Sequence, residues 1–150
     1  PGPPRPDPRG PEGGASPMTP KTHRTSRGGR AEGRRRLNAA QKYLALAGTL
    51  EDDPSDGAVN ARVGNCVPAG IAAADAICYA RLGERYSGPD HGQAADVLDR
   101  VDKTLGSALR SLGGLKTKSQ YGDEWLTDSA RKSALRKARA LVKEAETSLR

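Results

Sequence analysis

Aromatic residues are scarce in this chain of 150 residues, which has no Phe, one Trp and four Tyr. Any hydrophobic core must therefore be filled mainly by Leu, Val, Ile and Ala. Alanine has the highest intrinsic helix propensity, and its small side chain lets helices approach closely. No segment shows the alternating pattern of a convincing β-strand. The composition therefore predicts an all-α fold.

Cysteine is also scarce, with only Cys66 and Cys78 in the sequence. Both residues lie on one predicted helix, and their separation along it is roughly 18 Å, far beyond the reach of a disulfide. Two thiols without a nearby pair of histidines do not make a zinc site. We therefore predict buried, reduced thiols, no metal and no cofactor. Reduced thiols are typical of a cytoplasmic protein.

Long apolar runs are missing as well. No segment approaches the roughly 18 apolar residues of a membrane span, and the amino-terminal residues have no apolar stretch of the kind found in signal peptides. Met18 is the only methionine of the chain. We expect translation to begin there, so that residues 1–17 precede the native protein.

Proline and positive charge are concentrated at the amino terminus. Eight of the 11 prolines fall in residues 1–20, and residues 1–36 carry a net charge of +6, against +1 for residues 37–150. Such a segment buries too little apolar surface to offset the entropy of ordering. We therefore predict a disordered basic tail over 1–33 and a helical domain over 34–150. We expect nucleic acid to bind through the six arginines nearest the domain: Arg24, Arg27, Arg30, Arg34, Arg35 and Arg36.

The rest of the chain has helical periodicity. Within the predicted helix at 57–82, residues 67–80 are apolar almost all round, which is typical of a central helix, and Asp75 is an exception within this run. A small up-down bundle of four to five helices is therefore predicted. Its helices are placed at 34–49, 57–82, 90–112 and 128–149, with a weaker helical turn at 115–120.

Three features carry a family resemblance. An alanine-rich stretch spans residues 69–77, His91 begins the next helix after a short loop, and Lys118-Ser119-Gln120-Tyr121-Gly122 precedes a basic last helix. In this order they resemble the HEPN family of small helical bundles, over roughly residues 35–147. The resemblance implies an all-helical bundle that forms a homodimer.

HEPN proteins fall into two groups. Some are metal-independent ribonucleases, often toxins, which use an Arg separated from a His by four to six residues. Others associate with nucleic acid, or bind a small nucleotidyltransferase as its protein partner. Arg85 and His91 match the nuclease spacing, with His91 as the general base and Arg85 at the phosphate. Tyr86 and the loop at 88–89 depart from the nuclease pattern, so the sequence favours a non-enzymatic nucleic-acid-binding module.

Asp75 has two interpretations. It orients His91 or Arg85 across the bundle, or it is a structural partner for Arg81 or another buried cation, because buried acids are usually paired. The structural interpretation is favoured. A ribonuclease toxin with an antitoxin, or a partner of a small nucleotidyltransferase, remain the alternative functions.

Overall fold

A computed structural model describes residue 2, residues 23–121 and residues 126–150, with the backbone alone over 116–121. Within these residues five helices and two short strands follow one another, which confirms the predicted all-α bundle. In chain order they are β1 (Thr25–Arg27), α1 (Arg30–Thr49), α2 (Asp56–Leu82), β2 (Glu84–Tyr86), α3 (His91–Asp99), α4 (Lys103–Tyr121) and α5 (Asp128–Ser148).

The centre of the bundle is α2. Its amino end is capped by Ser55, whose hydroxyl accepts a hydrogen bond from the Ala58 N–H at 3.3 Å. Its carboxyl end stops at Gly83, which takes the left-handed conformation with φ +72° that glycine adopts without strain. Between these caps α2 packs against each of the other four helices. By length and composition α2 could cross a membrane, but 72% of its most apolar window is buried inside the bundle, as in a core helix.

Close helix packing depends on a glycine at one point. A β-carbon at Gly70 would lie 2.5 Å from Cδ1 of Leu112, so an alanine at this position would force the Leu112 side chain on α4 to move. Leu112 and Leu141 are fully buried on either side of this contact. The predicted apolar faces of the second, third and last helices thus meet at α2.

The third predicted helix is in fact two. The single helix expected over 90–112 breaks after Asp99. Asp102 then starts a new helix, and its carboxylate accepts hydrogen bonds from the backbone N–H groups of Thr104 at 2.7 Å and Leu105 at 3.3 Å. This side-chain cap offers the backbone an alternative to a continuous helix, which is why aspartate favours helix starts.

The predicted boundary of the tail at residue 33 is wrong for residues 23–33. The strand β1 pairs with β2 in antiparallel register, with Thr25 opposite Tyr86, and α1 already begins at Arg30. The pairing is continued by a hydrogen bond from the Gly28 N–H to the Gly83 carbonyl at 3.0 Å. Residues 1 and 3–22, and with them the predicted start at Met18, lie outside the described part of the chain.

Candidate functional site

A charge cluster around one buried carboxylate lies where α1, α2 and β2 meet. Asp75 on α2 is buried, and its Oδ2 accepts a hydrogen bond from Arg36 Nε at 3.1 Å and lies 3.0 Å from Arg36 Nη2. The Nη1 of Arg85 lies 3.6 Å from the same oxygen. Two guanidinium groups, one from α1 and one from β2, therefore share one carboxylate.

Hydrogen bonds hold the Arg85 side chain in addition to its ion pair with Asp75. Its Nε donates to the Tyr79 hydroxyl at 2.9 Å, and its Nη1 donates to the Tyr86 carbonyl at 3.2 Å. Its side chain still keeps 36% of its surface exposed. The guanidinium is thus fixed in position at the edge of the cluster while it remains within reach of solvent.

The pKa of Asp75 is raised, because burial disfavours its charged form. Arg36 and Arg85 oppose this shift through their positive charges. Asp75 therefore contacts Arg85, as one interpretation of the sequence proposed, and Arg36, which the sequence did not single out as its partner. The other proposed cation, Arg81, pairs instead with Glu144 at 3.4 Å.

His91 lies at the exposed start of α3. It lines a hollow of about 250 Å³ between α3 and α4, together with Arg110 and the glycines Gly113 and Gly114. Among the described residues no hydrogen bond or ion pair joins it to Arg85 or to Asp75. The structure therefore brings Asp75 and Arg85 together directly, while His91 faces a separate hollow beside them.

The six arginines predicted to bind nucleic acid are on folded elements. Arg24 and Arg27 are exposed at β1, and Arg34 is exposed on α1. Arg30 donates to the carbonyl oxygens of Ser148 at 3.2 Å and of Arg150 at 2.7 Å, at the end of α5.

The last two of the six make ion pairs. Arg35 remains 71% exposed and lies 3.5 Å from Glu32, while Arg36 belongs to the charge cluster. Five of the six therefore face solvent, and we call Arg24, Arg27, Arg30, Arg34 and Arg35 the amino-terminal arginines.

A second basic region is a groove of about 540 Å³ between α4 and α5. Three cations, two hydroxyl groups and two alanines line this α4–α5 groove: Lys103, Arg136, Lys137, Thr104, Ser107, Ala108 and Ala140. The sequence showed that the last helix is basic, but not that α4 faces these particular cations with hydroxyl groups.

Two further residues were missed or left unassigned. His23 is packed against the domain, with Nδ1 3.2 Å from the Gln93 side-chain oxygen and Nε2 3.8 Å from the Asp96 carboxylate. Arg62 is buried in α2 and donates to the backbone carbonyls of Leu50 and Asp53. The signal for Arg62 was present, because it lies on the apolar face of its helix. For His23 there was none, because both of its partners lie on α3, about 70 residues further along the chain.

Within the described residues, no group of three or more His, Cys, Asp or Glu side chains is placed to hold a metal ion. Comparison with protein-family models and with curated proteins found no match to this chain. The functional argument therefore depends on the charge cluster, the amino-terminal arginines and the groove.

Proposed function

We propose that this chain is a non-enzymatic nucleic-acid-binding module with a HEPN-like helical bundle. The observation that carries the proposal is the placement of the amino-terminal arginines. Arg24, Arg27 and Arg34 are exposed and make no ion pair among the described residues, although Arg27 lies opposite Glu84 in the strand pairing and the rest of the surface pairs many of its charges. Free guanidinium groups on a fixed backbone suit contacts to phosphates, which dominate nucleic-acid affinity.

The test is substitution, because truncation before residue 37 would remove the first turns of α1. The variant Arg27→Ala/Arg34→Ala removes two exposed cations from the amino-terminal arginines. The matched control Lys42→Ala/Lys143→Ala removes two exposed cations from elsewhere, which also have no carboxylate partner in the described part. Binding is measured by fluorescence anisotropy with a DNA and an RNA oligonucleotide of the same sequence, at several salt concentrations.

We expect the arginine variant to bind about tenfold more weakly at low salt, and its affinity to depend less steeply on salt. The control should lose less than about threefold. Equal losses in both variants would mean that net charge alone governs binding, and the proposal would be wrong. Comparison of the two probes tells DNA binding from RNA binding.

A ribonuclease is the second candidate, and the fixed position of Arg85 favours it. The contacts to Asp75 and Tyr79 hold its guanidinium in one place, as a phosphate clamp requires. His91 would then be the general base, and bound RNA would have to bring it and Arg85 to the same ribose and phosphate. Incubation with tRNA in EDTA tests this. Cleavage that both Arg85→Ala and His91→Ala abolish would establish the nuclease, and absence of cleavage with retained binding would support the binding module.

The remaining alternative is a protein partner, either a small nucleotidyltransferase or an antitoxin, with the chain as a homodimer. Absence of both binding and cleavage would favour it. Sedimentation of the purified chain measures whether it is a homodimer. If a small nucleotidyltransferase is encoded beside it, sedimentation of the mixture measures the stoichiometry of their complex.

A further inference from the structure

The α4–α5 groove combines features that the proposed function does not use. Lys103 and Thr104 begin α4, and Ser107 follows one turn later on the same face. Arg136 and Lys137 lie opposite them, in the middle of α5. The groove has a volume of about 540 Å³ and is open to solvent, because most of the residues that line it are exposed. It is large enough to seat a small-molecule ligand on the surface.

The cations of the groove differ from their neighbours on the same helix. Arg139 pairs with Glu51 at 2.9 Å, and Lys132 pairs with Asp128 at 3.0 Å. In contrast, Arg136 and Lys137 have no carboxylate partner in the part of the chain that the structure describes. Positive side chains gathered in one hollow repel each other, and an anion between them removes that repulsion.

Two aspartates close in sequence to the start of α4 already have partners within the domain. Asp102 caps the first turn of α4 through the N–H groups of Thr104 and Leu105. Asp99 is neutralised by Arg110, whose Nη2 lies 2.6 Å from its Oδ2. Among the described residues, no carboxylate lines the groove itself. An anionic ligand there would contact cations and hydroxyl groups, while the capping carboxylate of Asp102 keeps its negative charge next to Lys103.

We propose that the α4–α5 groove is a binding site for the phosphate groups of nucleotides, either free or within a nucleic-acid strand. Lys103, Arg136 and Lys137 supply charged donors, and the hydroxyl groups of Thr104 and Ser107 supply neutral ones. Among the residues that the structure describes, no aromatic side chain lines the groove, so none of them is placed to stack on a base. Recognition then depends on the phosphates, and the identity of the base has little effect.

The inference is tested on the full chain labelled with ¹⁵N. Pyrophosphate, ATP, GTP and a single-stranded 12-nucleotide RNA are titrated separately, and the backbone amide signals of Thr104, Ser107 and Ala140 are followed. The variant Arg136→Ala/Lys137→Ala is compared with Lys132→Ala/Lys143→Ala, which removes the same charge from the same helix. Circular dichroism of both variants confirms that they fold. If the first variant does not fold, Lys103→Ala/Arg136→Ala replaces it.

We expect saturable shifts at these amides with similar affinity for ATP and GTP. The groove variant should weaken the binding of each phosphate ligand that shifts them by at least about tenfold, because it removes two charged contacts. The control should change it by less than about threefold. Absence of saturable shifts, or equal losses in groove variant and control, would overturn the inference. A tenfold preference for one base would overturn its phosphate-only form.

The probes also separate the sources of the phosphate. Saturation with pyrophosphate and ATP points to a free nucleotide, whereas saturation with the RNA alone points to a strand. The site does not depend on the amino-terminal arginines, so Arg27→Ala/Arg34→Ala should leave the shifts caused by pyrophosphate unchanged. Failure of the groove with intact nucleic-acid binding would therefore overturn this inference and leave the proposed function standing.

Discussion

Arginines have different environments at the centre of the bundle and at its basic edge. At the centre they pair with acceptors inside the fold, and at the edge they are exposed to solvent. Arg36 turns inward to share the carboxylate of Asp75, and Arg62 turns inward to backbone carbonyls. Arg34, only two residues before Arg36, is exposed. Because α1 turns by about 100° per residue, neighbouring arginines point to different environments. The number of arginines in a segment therefore overstates the number that a ligand can contact.

The largest effect is expected from an apolar change at the centre. Ile77 on α2 is fully buried, so Ile77→Ala should lower the free energy of unfolding by about 2–5 kcal/mol through lost burial and a cavity. Ala138 on α5 is also fully buried, but Ala138→Ser changes fewer atoms and should cost less. Urea unfolding curves followed by circular dichroism measure both, and the reverse order would mean that α2 is not the energetic core.

The next largest effect is expected when Arg36, which pairs with Asp75, is replaced, and it is compared with replacement of the exposed Arg34. Arg36→Ala leaves the buried Asp75 with Arg85 as its one ion-pair partner among the described residues, and should cost about 1–3 kcal/mol. That range is below the cost for a fully buried pair, because 37% of the Arg36 side chain is exposed and screened by solvent. Arg34→Ala should cost less than about 0.5 kcal/mol.

The same two variants should affect nucleic-acid binding in the opposite order, with the larger loss for Arg34→Ala. Thermal melts and anisotropy titrations on one pair of proteins check both halves of the comparison. Similar losses of stability in the two variants would show that Arg36 is not part of a buried pair.

The smallest expected effect is the contribution of cysteine ionisation to stability, which appears only at alkaline pH. Burial raises the pKa of Cys66 to about 11 and that of Cys78 to about 12, so the folded protein keeps both protons when the unfolded chain loses them. This contribution to stability is fully present below pH 9 and is lost as the pH rises towards 11 and 12.

Relative to wild type, Cys66→Ala/Cys78→Ala should therefore show a weaker loss of stability between pH 9 and pH 11. Native thiols should also react slowly with Ellman's reagent at pH 8 until denaturant is added. Rapid labelling without denaturant would show that the thiols are accessible.

Local signals predicted most of the helices. Ser55 and Gly83 bound α2 as caps do, and the apolar periodicity placed α5 within one residue of its observed end. The start of α1 was missed because its order depends on distant groups, namely the pairing of β1 with β2 and the contact of Arg30 with the last carbonyls of α5.

The candidate site was predictable only in part. An acid in an apolar helix implies a cationic partner, and Arg85 was among those proposed. That Arg36 also reaches Asp75 depends on how α1 rotates against α2, which a single sequence does not determine. The α4–α5 groove could not be predicted for the same reason. Its two walls come from segments more than 25 residues apart, and only their packing brings them together.

The pairing of β1 with β2 has a thermodynamic consequence for binding. A flexible basic arm loses backbone entropy of about 1–2 kcal/mol for each residue that becomes fixed on a ligand. Here Thr25–Arg27 already lie in a strand, and the Arg24 carbonyl already accepts from the Ser87 N–H at 2.9 Å. Folding therefore bears the ordering cost before any encounter, and a phosphate backbone meets arginines whose main chain is already in place.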